Sequence, residues 1–469
     1  MIRYKTIEGF TTINRNTSPF LLATGEFADS QNFYTERIGV LKKTGDYSLK
    51  NAQITASQDI LGGIDFFRAA GTHEHFVAID GASNAGIYKD VTGTWTTQSQ
   101  SLTAGNKVRF AYSPTLDTLF AVNFADATRS YNGSSWSTTT DVTSAPKGKD
   151  IISFGRRIYI LHAVVSSTTY VDRGYRSSLV DSGSITWDTT NDWVTFDDIL
   201  LGAEKNGDLM IVFGQNGIYG FTLSDQKYKI SNIGCVSLEG ISTYKEWTFY
   251  PSDDGIYVTT GKEPDKISLP IQEYFDGIPQ ANKPSILGKC LGPYYYVWFG
   301  DITSPETLTN VWFRYDILKN NWHRMKTGFN MMNLHTFTSS SVKALYAGDD
   351  DGKVYQMLTS GAQATASYAT SLETDWIYGD DPKVINDWIS VWGFGDQLSG
   401  LKVFYRVDDS SDWKPAGELE GSTDFVQFKA QGYRIKILLT ESSKSNMFEF
   451  YRIEVGYIPK GEKQEDTQK

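Results

Sequence analysis

Asn216-Gly217-Ile218-Tyr219 is one copy of a unit that returns along the chain as Ala85-Gly86-Ile87-Tyr88, Asp254-Gly255-Ile256-Tyr257 and, with one residue inserted, Gly352-Lys353-Val354-Tyr355. Asn-Gly and Asp-Gly supply the positive-φ positions of two-residue hairpin turns. Ile-Tyr and Val-Tyr suit a half-buried pleated surface. Each turn follows an apolar run, such as His75–Ile79, Leu209–Phe213 or Trp247–Tyr250. Looser copies lie at Phe154–Tyr159, Leu119–Val122 and Tyr295–Trp298. A repeated hairpin over such a length means an array of small sheets. Ile64, Val108, Ile151, Leu209, Trp247, Ile286 and Leu334 open the successive apolar runs. They lie roughly 40–50 residues apart, with one longer interval, and a four-stranded propeller blade needs about that many residues. An all-β chain with a propeller of six to eight blades over residues 56–365 is predicted, with no competing helical period.

Three tyrosines are followed by a turn and a tryptophan: Tyr88 with Trp95, Tyr131 with Trp136, and Tyr315 with Trp322. The pattern resembles the hairpin of kelch blades, and ordinary cross-strand aromatic pairing accounts for it as well. Kelch blades also carry a Gly-Gly pair, and Gly62-Gly63 is the one such pair here. A propeller outside the kelch family is the reading.

Residues 1–55 depart from the repeat and read as an amino-terminal arm and leader hairpin. Thr11 to Phe20 has the look of an extended arm. A short helix or turn leads into Asn32-Phe33-Tyr34, then a hairpin at Arg37-Ile38-Gly39 and the strand Val40–Lys43. Residues 366–458 alternate more cleanly, in Leu401–Val407, Tyr433–Thr440 and Phe448–Val455. Such strands face a core on one side and water on the other, which predicts an antiparallel sandwich. The polar tail 459–469 is expected to be disordered.

The chain has 469 residues, a net charge of −11, 14% aromatic residues and two cysteines. The charge and the lack of a basic block disfavour tight nucleic-acid binding. Cys235 and Cys290 are expected as buried thiols of a reducing compartment. No apolar run has the length of a membrane helix, and the amino terminus lacks a signal-peptide core.

No constellation favours catalysis, a cofactor or a metal. Ser182–Trp187 lacks the internal aspartate of a sialidase box, and the nearby Asp188, Asp192, Asp197 and Asp198 read as turn formers. His73-Glu74-His75 puts two imidazoles on one strand face without a third ligand. Asp349-Asp350-Asp351-Gly352 lacks the spacing of a calcium loop. Trp95, Trp136, Trp187 and Trp193 could stack on sugars at a propeller mouth or pack between blades.

Asp29-Ser30-Gln31-Asn32-Phe33-Tyr34, then Gly39–Lys43 and Gly45-Asp46-Tyr47, resembles the leader of short-tailed bacteriophage tail proteins. That family has Arg-Pro-Gly-Tyr at the stop, where this chain reads Lys43-Thr44-Gly45-Asp46-Tyr47. Tyr315-Asp316 to Asn321-Trp322, followed by Asn330–Asn333, is also similar to such proteins. The layout of leader, propeller and β domain resembles the tail-nozzle family (packaged-DNA stabilisation protein, or tail tubular protein B). The resemblance implies a virion protein assembled in the host bacterial cytoplasm, forming a ring of copies, usually six. Its neighbours would be adaptor and portal-side tail proteins and tail fibre or needle proteins. The ring would close the channel on packaged DNA without gripping it and release it at ejection. Asn32, Phe33, Tyr34, Lys42, Lys43 and Tyr47 are the expected assembly contacts, and Arg156 and Arg157 the expected channel-facing residues. The alternative is a phage or bacterial propeller that recognises a host-surface glycan or protein receptor.

Overall fold

A computed structural model describes residues 1–15, 26–37, 39–98, 101–304, 306–359, 369–442 and 448–460. Among the described residues, seven antiparallel sheets follow one another from Ile60 to Thr359, the first of five strands and the other six of four. The first six run inner to outer strand in chain order, as in Leu200–Asn206, Leu209–Gly214, Ile218–Thr222 and Lys227–Ser231 of the fourth blade. The sequence markers fall one to a blade, and the ring is a seven-bladed propeller.

The repeated unit opens the third strand of the first, fourth, fifth and seventh blades. Successive side chains on a strand point to opposite faces. Hence the Ile or Val packs in one inter-blade seam and the Tyr in the other. Ile218 joins the seam of the fourth and fifth blades, with Ile211, Phe213 and Tyr250. Tyr219 joins the seam of the third and fourth, with Phe154, Leu161 and Phe196. The same division holds for Ile256 and Tyr257, and for Val354 and Tyr355. Seven apolar clusters fill the seven seams. Tyr131 and Trp136 are register partners with rings 5.3 Å apart. Tyr315 and Trp322 are likewise partners, at 4.7 Å. Trp95 instead pairs with Asp90 and sets its ring 5.1 Å from His75.

Gly62-Gly63 has a steric reason. A Cβ at Gly62 would lie 2.2 Å from the Val108 carbonyl oxygen of the second blade. One at Gly63 would lie 2.4 Å from the His335 ring of the seventh. The first inner strand can approach both neighbours only without side chains at these positions.

The last blade is completed from the other end of the chain. Met331–Ser339, Val342–Asp349 and Val354–Thr359 take Asp46–Leu49 as their outer strand, with Leu49 opposite Tyr355. Tyr47 sits 4.9 Å from Phe329 and 5.3 Å from Tyr355.

The division expected at residue 55 is corrected by this pairing and by the sandwich, while the propeller strands end at Thr359 and the carboxy-terminal strands begin at Thr370, on either side of the expected division at 366. Residues 1–55 are not a separate arm. Arg3–Glu8, Phe33–Arg37 and Val40–Lys43 join Asn386–Asp396, Thr423–Gly432 and Glu449–Pro459 in one six-stranded sheet. Asp29–Gln31 joins Thr370–Glu373, Ile377–Tyr378, Leu401–Val407, Lys414–Leu419 and Arg434–Glu441 in the other. The turn or helix expected before Asn32 is thus the strand Asp29–Gln31. Ile38 of the expected hairpin, residues 16–20 of the extended arm and the tail from 461 lie outside the described residues. Lys460 still donates its backbone N–H to Ile385 at 2.8 Å.

Propeller and sandwich share one core: Phe10, Phe27, Phe33 and Leu41 pack in the same cluster as Phe313 and Trp322 of the sixth blade and Ile437 of the sandwich. Asp29 is the polar centre of this junction. Arg324 of the sixth blade donates to it twice, at 3.0 and 2.6 Å, and the Tyr274 hydroxyl donates at 2.8 Å. Arg15 in turn donates to the Tyr274 oxygen at 2.6 Å. Arg324 is 6% exposed and Asp29 15%. Breaking such a pair from one side leaves a buried charge unmatched. Asp29→Ala is therefore expected to lower the unfolding free energy by about 3–5 kcal/mol, read by urea denaturation.

Candidate functional site

The seven inner strands surround a central channel with a cavity of about 650 Å³. Nearly every inner strand is an apolar run broken by a charged or imidazole side chain. Asp65, Arg109, Asp150, Glu204, Lys289 and His335 come from six different blades. Neutral neighbours on those strands pack into the seams, and these six side chains line the cavity.

Arg109 bridges two carboxylates, with Asp150 at 3.3 Å and Glu239 at 3.0 Å. Asp150 also accepts the Ala203 N–H at 2.8 Å. Burial pushes the Asp150 carboxyl up, against the pull of Arg109. Burial likewise raises Glu204, which Lys289 pulls the other way. Asp65 contacts His73 Nδ1 at 2.8 Å and accepts the Thr338 N–H at 3.0 Å. Lys107 donates to the Met332 carbonyl, and its burial lowers its pKa. The channel is thus a polar cavity with both signs of charge, of a size that suits a small molecule.

His75 and His335 meet at the seam of the first and seventh blades, Nε2 to Nε2 at 2.7 Å. His335 Nδ1–H donates to Asn333 Oδ1 at 2.7 Å, so its Nε2 is bare and accepts the proton of His75 Nε2. His75 Nδ1 has no partner among the described residues. A second proton would place two N–H groups head to head in a buried seam. Burial holds both rings far below the usual imidazole range, His335 at about 3, with the charges of Lys50 and Lys289 acting the same way.

The residues expected as assembly contacts bind inside the chain. Asn32 donates to the Ala369 carbonyl at 2.7 Å and accepts the Lys326 N–H at 2.9 Å, tying the sandwich to the sixth blade. Phe33 packs edge-on against Phe448 at 5.4 Å. Lys43 forms a buried pair with Glu441 at 2.7 Å. Asn32, Phe33 and Lys43 are at most 2% exposed, so the expectation that they reach a second molecule is corrected. Tyr34 lies 4.3 Å from the Arg314 guanidinium, and Lys42 pairs with Glu449 at 3.5 Å. Tyr47 packs against Phe329 and Tyr355 at the seventh blade.

Arg156 and Arg157 do not line the propeller's channel. Gly155 and Arg156 both have positive φ, at 56° and 63°, and make a two-residue hairpin turn with Arg156 exposed and paired to Asp181. Arg157 donates to the Ser177 carbonyl and to Asp192.

The other groups weighed in sequence also have structural partners. Asp349 accepts the N–H of Asp351 at 3.0 Å and of Lys353 at 2.7 Å, making a turn. Asp188 accepts two turn N–H groups, and Asp198 accepts two donors from Asn216. Trp136 packs on Phe76, Trp187 is buried, and Trp193 stacks under Arg173 at 4.1 Å. Cys235 and Cys290 are buried free thiols, both pushed up to about 12 by burial. No helix among the described residues is long and apolar enough to cross a membrane. Sequence reading missed the channel charges. Their signal was a charged residue inside an otherwise apolar run, recurring from blade to blade.

No family model and no curated protein matches this chain. Two solved structures similar to it are Sqt1 of Saccharomyces cerevisiae and YCF48 bound to D1 peptide. Sqt1 is 7% identical with a TM-score of 0.39, covering 67% of this chain and 99% of its own. YCF48 is 12% identical with a TM-score of 0.40, covering 68% and 97%.

The neutral histidines make stability pH-dependent. The unfolded chain protonates them near 6.5, whereas folded His335 resists to about 3. Their contribution is therefore complete above pH 6.5 and is lost as pH falls from there towards 3. Each contributes a slope of about 1.4 kcal/mol per pH unit. Chemical denaturation between pH 7 and 4 is expected to show this decline, with a shallower slope in His335→Gln.

Proposed function

We propose that this chain is a propeller-type binding and assembly protein that engages macromolecular partners and performs no catalysis. The observation that supports it most is the junction at Asp29, where arm, sixth blade and sandwich meet in one core. Such a junction makes propeller and sandwich one rigid body, able to hold partners on different faces in a fixed relation. Rigid surfaces bind without an ordering cost.

Protein partners fit better than glycans. The tryptophans that could have stacked on sugars pack within the propeller instead. The narrower form of the proposal is a ring-forming tail-nozzle component that closes on packaged DNA, and it rests on the resemblance of residues 29–47 to that family's leader. The net charge of −11 suits a surface that DNA passes without adhering. DNA would pass between copies in the ring, since a cavity of about 650 Å³ inside each propeller suits a small molecule. Arg156, at its exposed hairpin tip, is the one of the expected arginine pair that such a lumen could meet.

Mass measurement and negative-stain imaging of the purified chain, alone and with its neighbouring virion proteins, test both forms. Closed rings of about six copies are the expected result. A strict monomer that binds a protein receptor retains the binding module and removes the nozzle. A strict monomer that binds cell-wall glycan overturns the protein-partner reading as well.

A further inference from the structure

The charges of the central channel divide into those with hydrogen-bond or ion-pair partners within the fold and those without. Arg109 has Asp150 and Glu239, and Asp65 has His73 and the Thr338 N–H. Lys289, on the inner strand of the sixth blade, and Lys343, on the second strand of the seventh, differ. Both line the cavity, and among the described residues no hydrogen bond or ion pair reaches either ammonium. They belong to adjacent blades, with Lys289 half-buried and Lys343 exposed. Desolvation first, and then the charge of Lys289, lowers the pKa of Lys343. His335, beside them, is also depressed by Lys289 and cannot supply negative charge. Glu204 attracts Lys289 from two blades away but makes no ion pair with it, and its own burial favours the neutral acid. Asp65 of the first blade also acts on Lys343, in the opposite sense to Lys289, yet among the described residues no carboxylate forms an ion pair with either ammonium.

We propose that the channel binds a small oxyanion, carboxylate or phosphate, held between the ammoniums of Lys289 and Lys343. Charged hydrogen bonds from two lysines are the interactions such a group seeks. The cavity of about 650 Å³ has room for inorganic phosphate or a short dicarboxylate, in the range of small-molecule sites. The acid-rich wall of Asp150, Glu204 and Glu239 lies at other blades, so the remainder of the bound molecule meets acceptors and should carry hydroxyl or ammonium groups rather than a second anion on that side. The site stands on the propeller alone and is independent of ring formation.

The test is isothermal titration of the full chain with sodium phosphate and, separately, with sodium succinate at pH 7 in dilute buffer. One saturable site for either anion is expected. Lys289→Met or Lys343→Met should weaken it about tenfold or more, as loss of a charged hydrogen bond does. Lys402→Met, on the exposed face of a sandwich strand, should leave it unchanged. A second measurement uses the unaltered chain, so it does not depend on the variants folding. Phosphate or succinate should slow acetylation of Lys289 and Lys343, read by mass spectrometry, and spare Lys402. Absence of saturable binding to both anions, affinity within twofold in both methionine variants, or acetylation indifferent to the anions would each overturn the proposal.

Discussion

The structure depends on a strand exchange between the ends of the propeller. Asp46–Leu49 pairs with Val354–Thr359, so the last blade borrows its outer strand from before the first. Without it, the seventh blade would keep three strands and an open edge, which is an exposed template for foreign pairing. The seam behind it would loosen too. Ile60, Val77 and Ile79 of the first blade pack there against Phe337, Tyr346 and Val354 of the seventh. A propeller has no core apart from its seams, so one loosened seam affects the whole ring.

The same segment binds the second domain. Between Arg3 and Lys43 it contributes strands to both sandwich sheets, and Asp29, Asn32 and Lys43 anchor it with buried polar contacts. These contacts stabilise little compared with the apolar surface around them, because desolvation offsets most of what ion pairs contribute. Their role is register: each has one partner geometry, and a slipped strand would bury an unmatched charge. Closure also fixes the channel. Held in place by the ring, the inner strands bring Lys289, Asp150 and Glu204 to the cavity, and Lys343 reaches it from the second strand of the seventh blade.

Much of the propeller was legible because its signals are local. The Gly-Ile-Tyr unit marks the start of a third strand and carries two seam contacts within four residues, so its copies mark blades without reference to distant parts of the chain, although Gly86, Gly217 and Gly255 lack the positive φ expected of a turn. Gly62-Gly63 stood out as a pair, though only the positions of Val108 and His335 explain it. The leader was misread as a separate arm because its partners lie hundreds of residues away, and nothing in Asp46–Leu49 alone names Val354–Thr359 as its neighbour. Asn32, Phe33 and Lys43 did stand out as a non-repeating cluster, but a sequence cannot distinguish a contact within the chain from one between chains. Arg156 and Arg157 drew notice as a basic pair, whereas single charges spread over separate inner strands drew none. Only the ring places those in one cavity.

Hydrogen exchange of the full chain, followed by mass spectrometry, tests the central claim most directly. If the amino-terminal segment closes the propeller and joins it to the sandwich, amides of Asp29–Gln31 and of Asp46–Leu49 will exchange as slowly as those of the blade strands, through the same global opening. Fast exchange of these segments beside protected blades would show a ring that stands without its borrowed strand, and would contradict the account.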